Sequence, residues 1–362
     1  MKTAIYGAGK SGRVLLGEMA QRGETADFFI DEFSPEPQVS GLPVKRMADI
    51  ADKSDIRLMV SLHNGTPSAT DIHTFLADSL SRQGFGEIHQ WQDLALIYPA
   101  LIDAVASHSV NPNEPGLKVF RDMLSDDISR DILDTVIAFR QNFQGPLTGL
   151  PDQYAPYFPA GIDVFRGIKS LRFADCGAYD GDTIQSALKK SPVPVSWFAA
   201  FEPDPDIFER LRERIDGLKP QFKDTDFWLL PFGAWSKNDV LKFNALNTVC
   251  SSFMIGVETA PVTISVPVVS LDATLSASPP NFIKMDIEGA EIEAIKGAHH
   301  IIETYRPTLA LSIYHLSHHL WEIPAMIKSY YPGYEMYLRH HSAFVPDTVL
   351  YCIAPDGPLV TG

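Results

Sequence analysis

One pattern constrains this chain more than any other. Short apolar runs, each leading through a turn into an amphipathic segment, recur in two blocks separated by proline-rich stretches. In the first block, residues 3–6, 27–30 and 57–62 read as strands, and helices are predicted over 14–21 and 69–82. In the second, strands are predicted at 171–174, 197–201, 227–232, 282–285 and 308–314. Helices are predicted there at 183–189, 207–215, 290–302 and 320–330. A late antiparallel pair at 334–338 and 349–353 closes the block. Strands alternating with helices build parallel sheets with crossover connections, so each block reads as an α/β domain. Residues 240–269 are β-rich and read as a hairpin insertion. Prolines 99, 112 and 115, then 146, 151, 156 and 159, punctuate the interval between the blocks. One amphipathic helix is predicted there at 128–143, with Ile132, Val136 and Phe143 on its apolar side and Ser125 to Asp127 as cap candidates. It reads as core or as a lid on the second domain. The expected boundaries are 1–105, a helical connector at 106–164, and 165–357.

Composition narrows the function classes. At roughly 150 residues per domain, 362 residues suit two domains, and 45% hydrophobic against 21% charged residues excludes a disordered chain. A net charge of -15 opposes a phosphate-backbone footprint, so no nucleic-acid partner is expected. The most apolar stretch, 94–106, is broken by Pro99 and Asp103 and falls short of the ~18 residues of a spanning helix. The N-terminus turns glycine-rich before a signal segment develops, and Cys176, Cys250 and Cys352 lack metal or redox spacing. A cytoplasmic protein is expected, with Cys176 a small buried filler.

Gly7-Ala8-Gly9-Lys10-Ser11-Gly12 follows the first strand and opens a helix. Gly7, Gly9 and Gly12 permit a tight turn, and the helix N-terminus offers free N–H groups to a phosphate. Asp31, about 20 residues on, is placed to bind a ribose hydroxyl. The plainer reading is a structural turn that binds nothing. Phe28-Phe29-Ile30-Asp31 and Gly41-Leu42-Pro43-Val44 resemble the N-terminal sugar-nucleotide domain of bacterial sugar acetyltransferases, which implies a nucleotide or nucleotide-sugar ligand. Dinucleotide oxidoreductases share the turn, but no Tyr-x-x-x-Lys relay follows.

The second turn, Asp175-Cys176-Gly177-Ala178-Tyr179-Asp180-Gly181-Asp182-Thr183, carries too many acids for a pyrophosphate. An adenosyl ligand bearing an amino acid fits better, because a carboxylate such as Asp175 can accept from its ammonium and Gly177 and Gly181 let it lie against the backbone. Glu202, next to Pro203 and about 20 residues past Gly181, is placed to hold a ribose diol. Gly233-Ala234-Trp235 is expected to end the third strand, where an adenine would reach. The candidate donor site is therefore Asp175, Gly177, Tyr179, Gly181, Asp182, Thr183, Glu202, Pro203, Gly233, Ala234 and Trp235.

These segments, with Ser270-Leu271-Asp272 and Ile283-Lys284-Met285-Asp286-Ile287-Glu288-Gly289-Ala290-Glu291, resemble the FkbM family of S-adenosylmethionine-dependent methyltransferases over roughly residues 165 to 357. The resemblance implies a seven-stranded S-adenosylmethionine-dependent methyltransferase fold for the C-terminal domain, so with the first block two Rossmann-like domains are expected in all. It also implies S-adenosyl-L-methionine as cofactor and O-methylation of a sugar, glycan or other small-molecule hydroxyl, nucleotide-linked or not, as in polysaccharide biosynthesis. Cys176, Tyr179 and Asp180 depart from the commoner family residues.

A hydroxyl acceptor needs alignment and a base. Asp286 and Glu288 follow a strand, with Gly289 turning the backbone away into a helix, and His315 ends the next strand with an ordinary pKa near 6.5. Asp286, Glu288 and His315 are the catalytic candidates. Helix capping by the acids and a structural role for the histidine are the plainer readings. His315-x-x-His318-His319 has loose metal spacing with the two acids, but His318 and His319 begin a helix, and a metal-free site is expected. His299-His300 and His340-His341 read as polar surface positions, and Ser251-Ser252 as a hairpin end or ligand contact. The rivals to a methyltransferase are a nucleotide-sensing protein without transfer activity and an NAD-dependent sugar oxidoreductase. A homo-oligomer held by the first domain is the alternative to ligand binding there.

Overall fold

Strand β1 (Lys2–Tyr6) runs into helix α1 (Lys10–Gln21), followed by β2 (Phe28–Ile30), β3 (Gln38–Val39), β4 (Leu42–Lys45), β5 (Ile56–Val60) and β6 (Glu87–His89). Their order in the sheet is β3-β4-β2-β1-β5-β6, parallel except for the β3–β4 ladder. The chain thus leaves β1 on both sides, the arrangement that opens a crevice at the strands' carboxyl ends. A Cβ on Gly12 would come within 2.0 Å of the Gly7 carbonyl oxygen, so this glycine is required for the helix to pack on its own turn.

The computed structural model describes residues 1–32, 34–61, 80, 82–90, 94, 97–98, 110–142, 147, 149–153, 155–244, 252–253, 263–342 and 347–360. These fall into two compact units, Met1–Val110 with Ala138–Leu147, and Asn111–Ile137 with Thr148–Gly362. Nearly all of the helix predicted over 69–82, most of the apolar stretch 94–106, Cys250 and Ser251 lie outside the described residues. No helix among them is long and apolar enough to cross a membrane.

The second unit begins with α2 (Pro115–Met123) and helix α3 (Asp127–Asn142) as far as Ile137; the first turn of α3 is closed by the Asp126 carboxylate accepting from the Ser129 N–H at 2.7 Å. Next come β7 (Leu171–Cys176), α4 (Asp182–Lys190), β8 (Val195–Phe201), α5 (Pro205–Leu218) and β9 (Asp226–Leu230). A small sheet follows, with strands β10 (Gly233–Ala234), β11 (Asp239–Asn244), β12 (Ser252–Phe253) and β13 (Thr263–Val269) in the order β10-β13-β11-β12. The remaining elements are α6 (Leu271–Leu275), β14 (Phe282–Met285), α7 (Glu291–Lys296), α8 (His299–Tyr305), β15 (Thr308–Ser312), α9 (His319–Tyr330), β16 (Glu335–His340) and β17 (Thr348–Ile353). The main sheet has seven strands in the order β16-β17-β15-β14-β7-β8-β9, antiparallel only at the β16–β17 and β17–β15 ladders.

Local chemistry explains the elements. Strand β14 is buried along its whole length, as expected of a central parallel strand covered on both faces. Helix α5 has Pro205 in its first turn and Asp204 as cap, accepting from the Asp206 and Ile207 N–H groups, and buries Ile207, Leu211, Ile215 and Leu218 along one stripe. Phe173, Phe198 and Phe282 meet edge to face at the sheet centre, with Phe173 and Phe282 centroids 4.9 Å apart. The β16 edge is covered: Ser125 N–H donates to the Met336 carbonyl at 2.8 Å, and Met336 N–H returns a bond to Ser125 Oγ.

Three expectations change. Gly233 and Ala234 do not end the third strand. That strand stops at Leu230, Pro231 brings no N–H, and the chain crosses to pair Gly233 and Ala234 with Val268 and Val269 in the small sheet. The helix expected over 290–302 is two helices. A Cβ on Gly297 would stand 1.9 Å from the Trp235 carbonyl oxygen, so the chain turns there, and Asp272 caps the second helix by accepting from the N–H groups of His300 and Ile301. His340 and His341 are fully buried, not surface positions.

Candidate active site

Strands β7, β8, β14 and β15 are parallel, so their carboxyl ends share one edge, and the backbone knits the loops together there. The N–H groups of Gly177 and Ala178 both donate to the Phe201 carbonyl at 3.0 Å, and the Asp286 N–H donates to the Cys176 carbonyl at 3.1 Å. Gly177 has φ +80, and a Cβ on it would meet the Asp286 carbonyl oxygen at 1.9 Å. Only glycine lets the turn and the acidic loop approach this closely. Tyr179 and Gly181 also have positive φ, so the turn coils tightly into α4. Asp182 accepts from the Thr183 N–H at 2.6 Å, Asp180 pairs with Arg214, and the Arg210 guanidinium lies over the Tyr179 ring.

Glu202 is 6% exposed. Its Oε2 accepts from the Tyr179 N–H at 3.1 Å and its Oε1 from the Asp204 N–H at 2.9 Å, beside half-buried Pro203. Burial pushes its pKa up to about 7, against the pull of those two N–H groups. Asp175 has a different surrounding from the one the sequence implied. It lies fully buried beneath the turn with Lys284 Nζ 3.1 Å away, and that ammonium also donates to the Gly177 carbonyl at 2.6 Å. Burial outweighs Lys284 and lifts Asp175 to about 6. The Cys176 thiol is buried and its pKa pushed up, which leaves it unreactive. Trp235, half-buried, is bonded through its N–H to the Val269 carbonyl of the small sheet.

The catalytic candidates converge. Asp286 accepts from two hydroxyls, Tyr157 Oη at 2.6 Å and Tyr314 Oη at 3.1 Å. His315 Nε2 lies 3.4 Å from Asp286 Oδ1 and 3.7 Å from Glu288 Oε2, and its Nδ1 lies 2.8 Å from Glu291 Oε1. Glu291 is fully buried; it also accepts from the Ile287 N–H at 2.9 Å, closing the turn into α7. Glu288 sits at φ +56, a conformation that non-glycine residues hold under strain. Burial pushes Asp286 up, but Lys284, His315 and the hydroxyls override it and the carboxyl stays below its ordinary range. Glu288 is raised by burial. For His315, burial is overridden by Glu291 and Glu288, and its pKa stands well above the ordinary value. Three carboxylates around the ring favour its protonated form over the neutral imidazole that a general base requires.

Several site residues escaped the sequence reading. Tyr157 lies in what looked like a proline-rich break. The segment is anchored by Asp152, whose carboxylate accepts from the N–H groups of Ala160 and Gly161 and from Arg339 Nε, while Tyr157 N–H donates to Tyr351 Oη at 2.9 Å. No local pattern announces such a strap. Glu291 and Lys284 stood inside the quoted acidic run but were read as motif residues, not as partners of His315 and Asp175. Asp347, 3% exposed with Oδ2 lacking a hydrogen bond, feels the charges of Asp286, His315 and Glu288. In the first unit, Asp31 accepts from the Ala8 N–H and the Ser34 N–H, each at 2.8 Å. The acid after the second strand thus closes the glycine turn in both units.

Comparison with known proteins bears on the family and the fold. Residues 175–342 match the family described as Methyltransferase FkbM domain. This segment is an FkbM methyltransferase domain. The family supports a methyltransferase activity. The crystal structure of Methyltransferase FkbM from Methylobacillus flagellatus KT covers 97% of this chain and 89% of its own, at 22% identity and a TM-score of 0.63, which shows a common fold. Aeropyrum pernix fibrillarin, in complex with natively bound S-adenosyl-L-methionine, aligns over 57% of this chain and 70% of its own at 11% identity. Its TM-score of 0.30 carries no argument. No curated protein matches the chain. The FkbM domain contains the glycine turn, Glu202, the acidic loop and His315, and leaves the Tyr157 strap outside its matched range.

Proposed function

We propose that the chain is an S-adenosylmethionine-dependent methyltransferase that O-methylates a hydroxyl of a sugar, glycan or related small molecule. The observation that carries this reading is the convergence of the 177–183 turn, Glu202 and the Asp286–Glu288–His315 cluster on one sheet edge. The donor's fit is tested by Glu202. Each of its oxygens accepts one backbone N–H and keeps a lone pair, which suits a vicinal diol. Bound there, S-adenosylmethionine supplies a methyl group already activated on a sulfonium, whose sulfur keeps the bonding pair. Glycines 177 and 181 shape the bed for the donor, and Lys284 fixes that bed from below through Asp175 and the Gly177 carbonyl.

Glu288 takes the acceptor's proton in this reading. It is the most exposed acid of the cluster, with its side chain 30% accessible, and among the described residues no hydroxyl donates to it. Asp286, held by two tyrosines, and protonated His315 orient the acceptor oxygen and hold the loop's charge. The first unit is assigned a nucleotide or nucleotide-sugar at Gly7, Gly9 and Asp31, in a domain ending near residue 105, joined by a helical connector to the transferase domain at 165–357. Space around Gly9 supports this, since nothing stands within 4 Å of a Cβ built there. The test is calorimetry with S-adenosylhomocysteine, followed by transfer of labelled methyl to a panel of free and nucleotide-linked sugars. A folded protein that binds neither donor nor product overturns the reading.

A further inference from the structure

We propose that Asp286, Glu291 and His315 form a binding site for one divalent cation of the Mn²⁺ class. The inference deepens the methyltransferase reading, because the ion would lie where the acceptor oxygen is expected, but its evidence is separate. One ligand atom from each of the three residues lies within 4.8 Å of the others. Around a six-coordinate ion with bonds of ~2.1 Å, neighbouring ligands stand about 3 Å apart and opposite ones about 4.2 Å apart, so a small inward adjustment suffices.

The second observation is orientation. Both ring nitrogens of His315 are buried and outside hydrogen-bonding geometry, although carboxylate oxygens lie 2.8, 3.4 and 3.7 Å from the ring, and Glu291 Oε2 stands 3.4 Å from His319 Nδ1, likewise outside that geometry. Ligands at right angles on one ion stand close together without bonding to one another, and taking up an ion here would displace the proton that the carboxylates favour on His315. Burial strengthens the point. His315 is 9% exposed and Glu291 is fully buried, and buried contacts outside hydrogen-bonding geometry leave free energy that an ion could recover.

Charge favours a cation here. Asp286, Glu288 and Glu291 surround the His315 imidazole, Glu291 Oε2 also lies 3.4 Å from His319 Nδ1, and Asp347 adds a buried carboxyl within electrostatic reach. The nearest lysine, Lys284, is committed to Asp175 and the Gly177 carbonyl. Two carboxylates and one imidazole suit Mn²⁺ or Zn²⁺ better than a purely oxygen-liganded ion. Glu288 or an acceptor hydroxyl can fill a further position, which would hold the hydroxyl beside its base. In the sequence, His315, His318 and His319 stand beside Asp286 and Glu288 in a loose metal spacing, and no metal is expected there. Glu291, five residues after Asp286, is the third ligand that reading lacked.

The test uses the full chain, stripped with chelator and titrated with MnCl₂ and separately with ZnCl₂ by calorimetry and, for Mn²⁺, by electron paramagnetic resonance. One ion per chain is expected, weakened at least tenfold in Glu291→Gln and in His315→Ala with melting temperatures recorded alongside. Glu202→Gln should weaken S-adenosylhomocysteine binding at least tenfold at pH 8 while leaving Mn²⁺ affinity unchanged, so failure of the donor site and failure of the metal site are distinguishable. Absence of one-to-one binding of either ion by the folded wild type overturns the proposal. So does binding that both variants retain at wild-type strength.

Discussion

Glu202 links donor affinity to pH in a way that can be worked out from its surroundings. Its folded pKa of about 7 stands above the ordinary 4.5 because the carboxylate is buried, so the folded protein holds a proton that the unfolded chain has released. Stability therefore falls as pH rises from about 4.5 to about 7 and is flat above, by about 3 kcal/mol at 1.36 kcal/mol per unit. A ribose diol donating two bonds needs the carboxylate, so binding must expel that proton. With a pKa of about 7, roughly a tenth of the protein is competent at pH 6 and nine-tenths at pH 8. S-adenosylhomocysteine should bind about tenfold more tightly at pH 8 than at pH 6. Calorimetry in buffers of different ionisation enthalpy should find nearly one proton released at pH 6 and almost none at pH 8. Glu202→Gln should bind at least tenfold more weakly at pH 8, since each bond drops from the charge-assisted range of roughly 1.5–3 kcal/mol to about 1, and should lose the slope. Equal wild-type affinities at pH 6 and 8 without proton release would refute the assignment of Glu202 to the ribose.

Tyr157→Phe removes the 2.6 Å bond to Asp286 and should lower turnover at least tenfold while leaving S-adenosylhomocysteine affinity intact; a loss in donor affinity of the same size would place Tyr157 in the donor pocket instead. Glu288→Gln should reduce turnover by roughly 10²–10⁴-fold with donor binding unchanged, and full turnover would remove Glu288 as the base. Gly177→Ala forces a Cβ onto the Asp286 carbonyl and should cost about 2 kcal/mol or more, read as a melting temperature lower by roughly 4–8 °C. A chain beginning at residue 160 should be less stable than one beginning at 111, because it strips Ser125, Asp126 and Ser129 from β16 and leaves Arg339, 1% exposed, without those partners; equal melting temperatures would contradict this.

What the sequence made legible follows the range of the forces involved. Strand–helix alternation is local, so the elements of the main sheet stand within a few residues of expectation, and the glycine turn, Glu202 and the Asp286–Glu288 loop could be located because each follows a strand. Breaks set by a distant atom were not legible. The split at Gly297 depends on the Trp235 carbonyl, and the transfer of Gly233 to the small sheet depends on Val268. Side-chain chemistry was legible by type but not by state. His315 was found as a titratable group at the right strand end, but its protonation depends on Glu291, which the chain brings to its Nδ1 from 24 positions away. Asp175 was likewise found in the turn, but its partner Lys284 sits on the neighbouring strand, opposite it in register. The acids that look alike in the motif therefore separate only in three dimensions. Glu202 and Glu288 are raised by burial without a nearby cation strong enough to offset it, while Asp286 and Glu291 are lowered because Lys284 and His315 offset theirs. Under the proposed function, Glu202 and Glu288 are the carboxyls that exchange a proton with a ligand, and Asp286 and Glu291 carry the fixed charge of the loop.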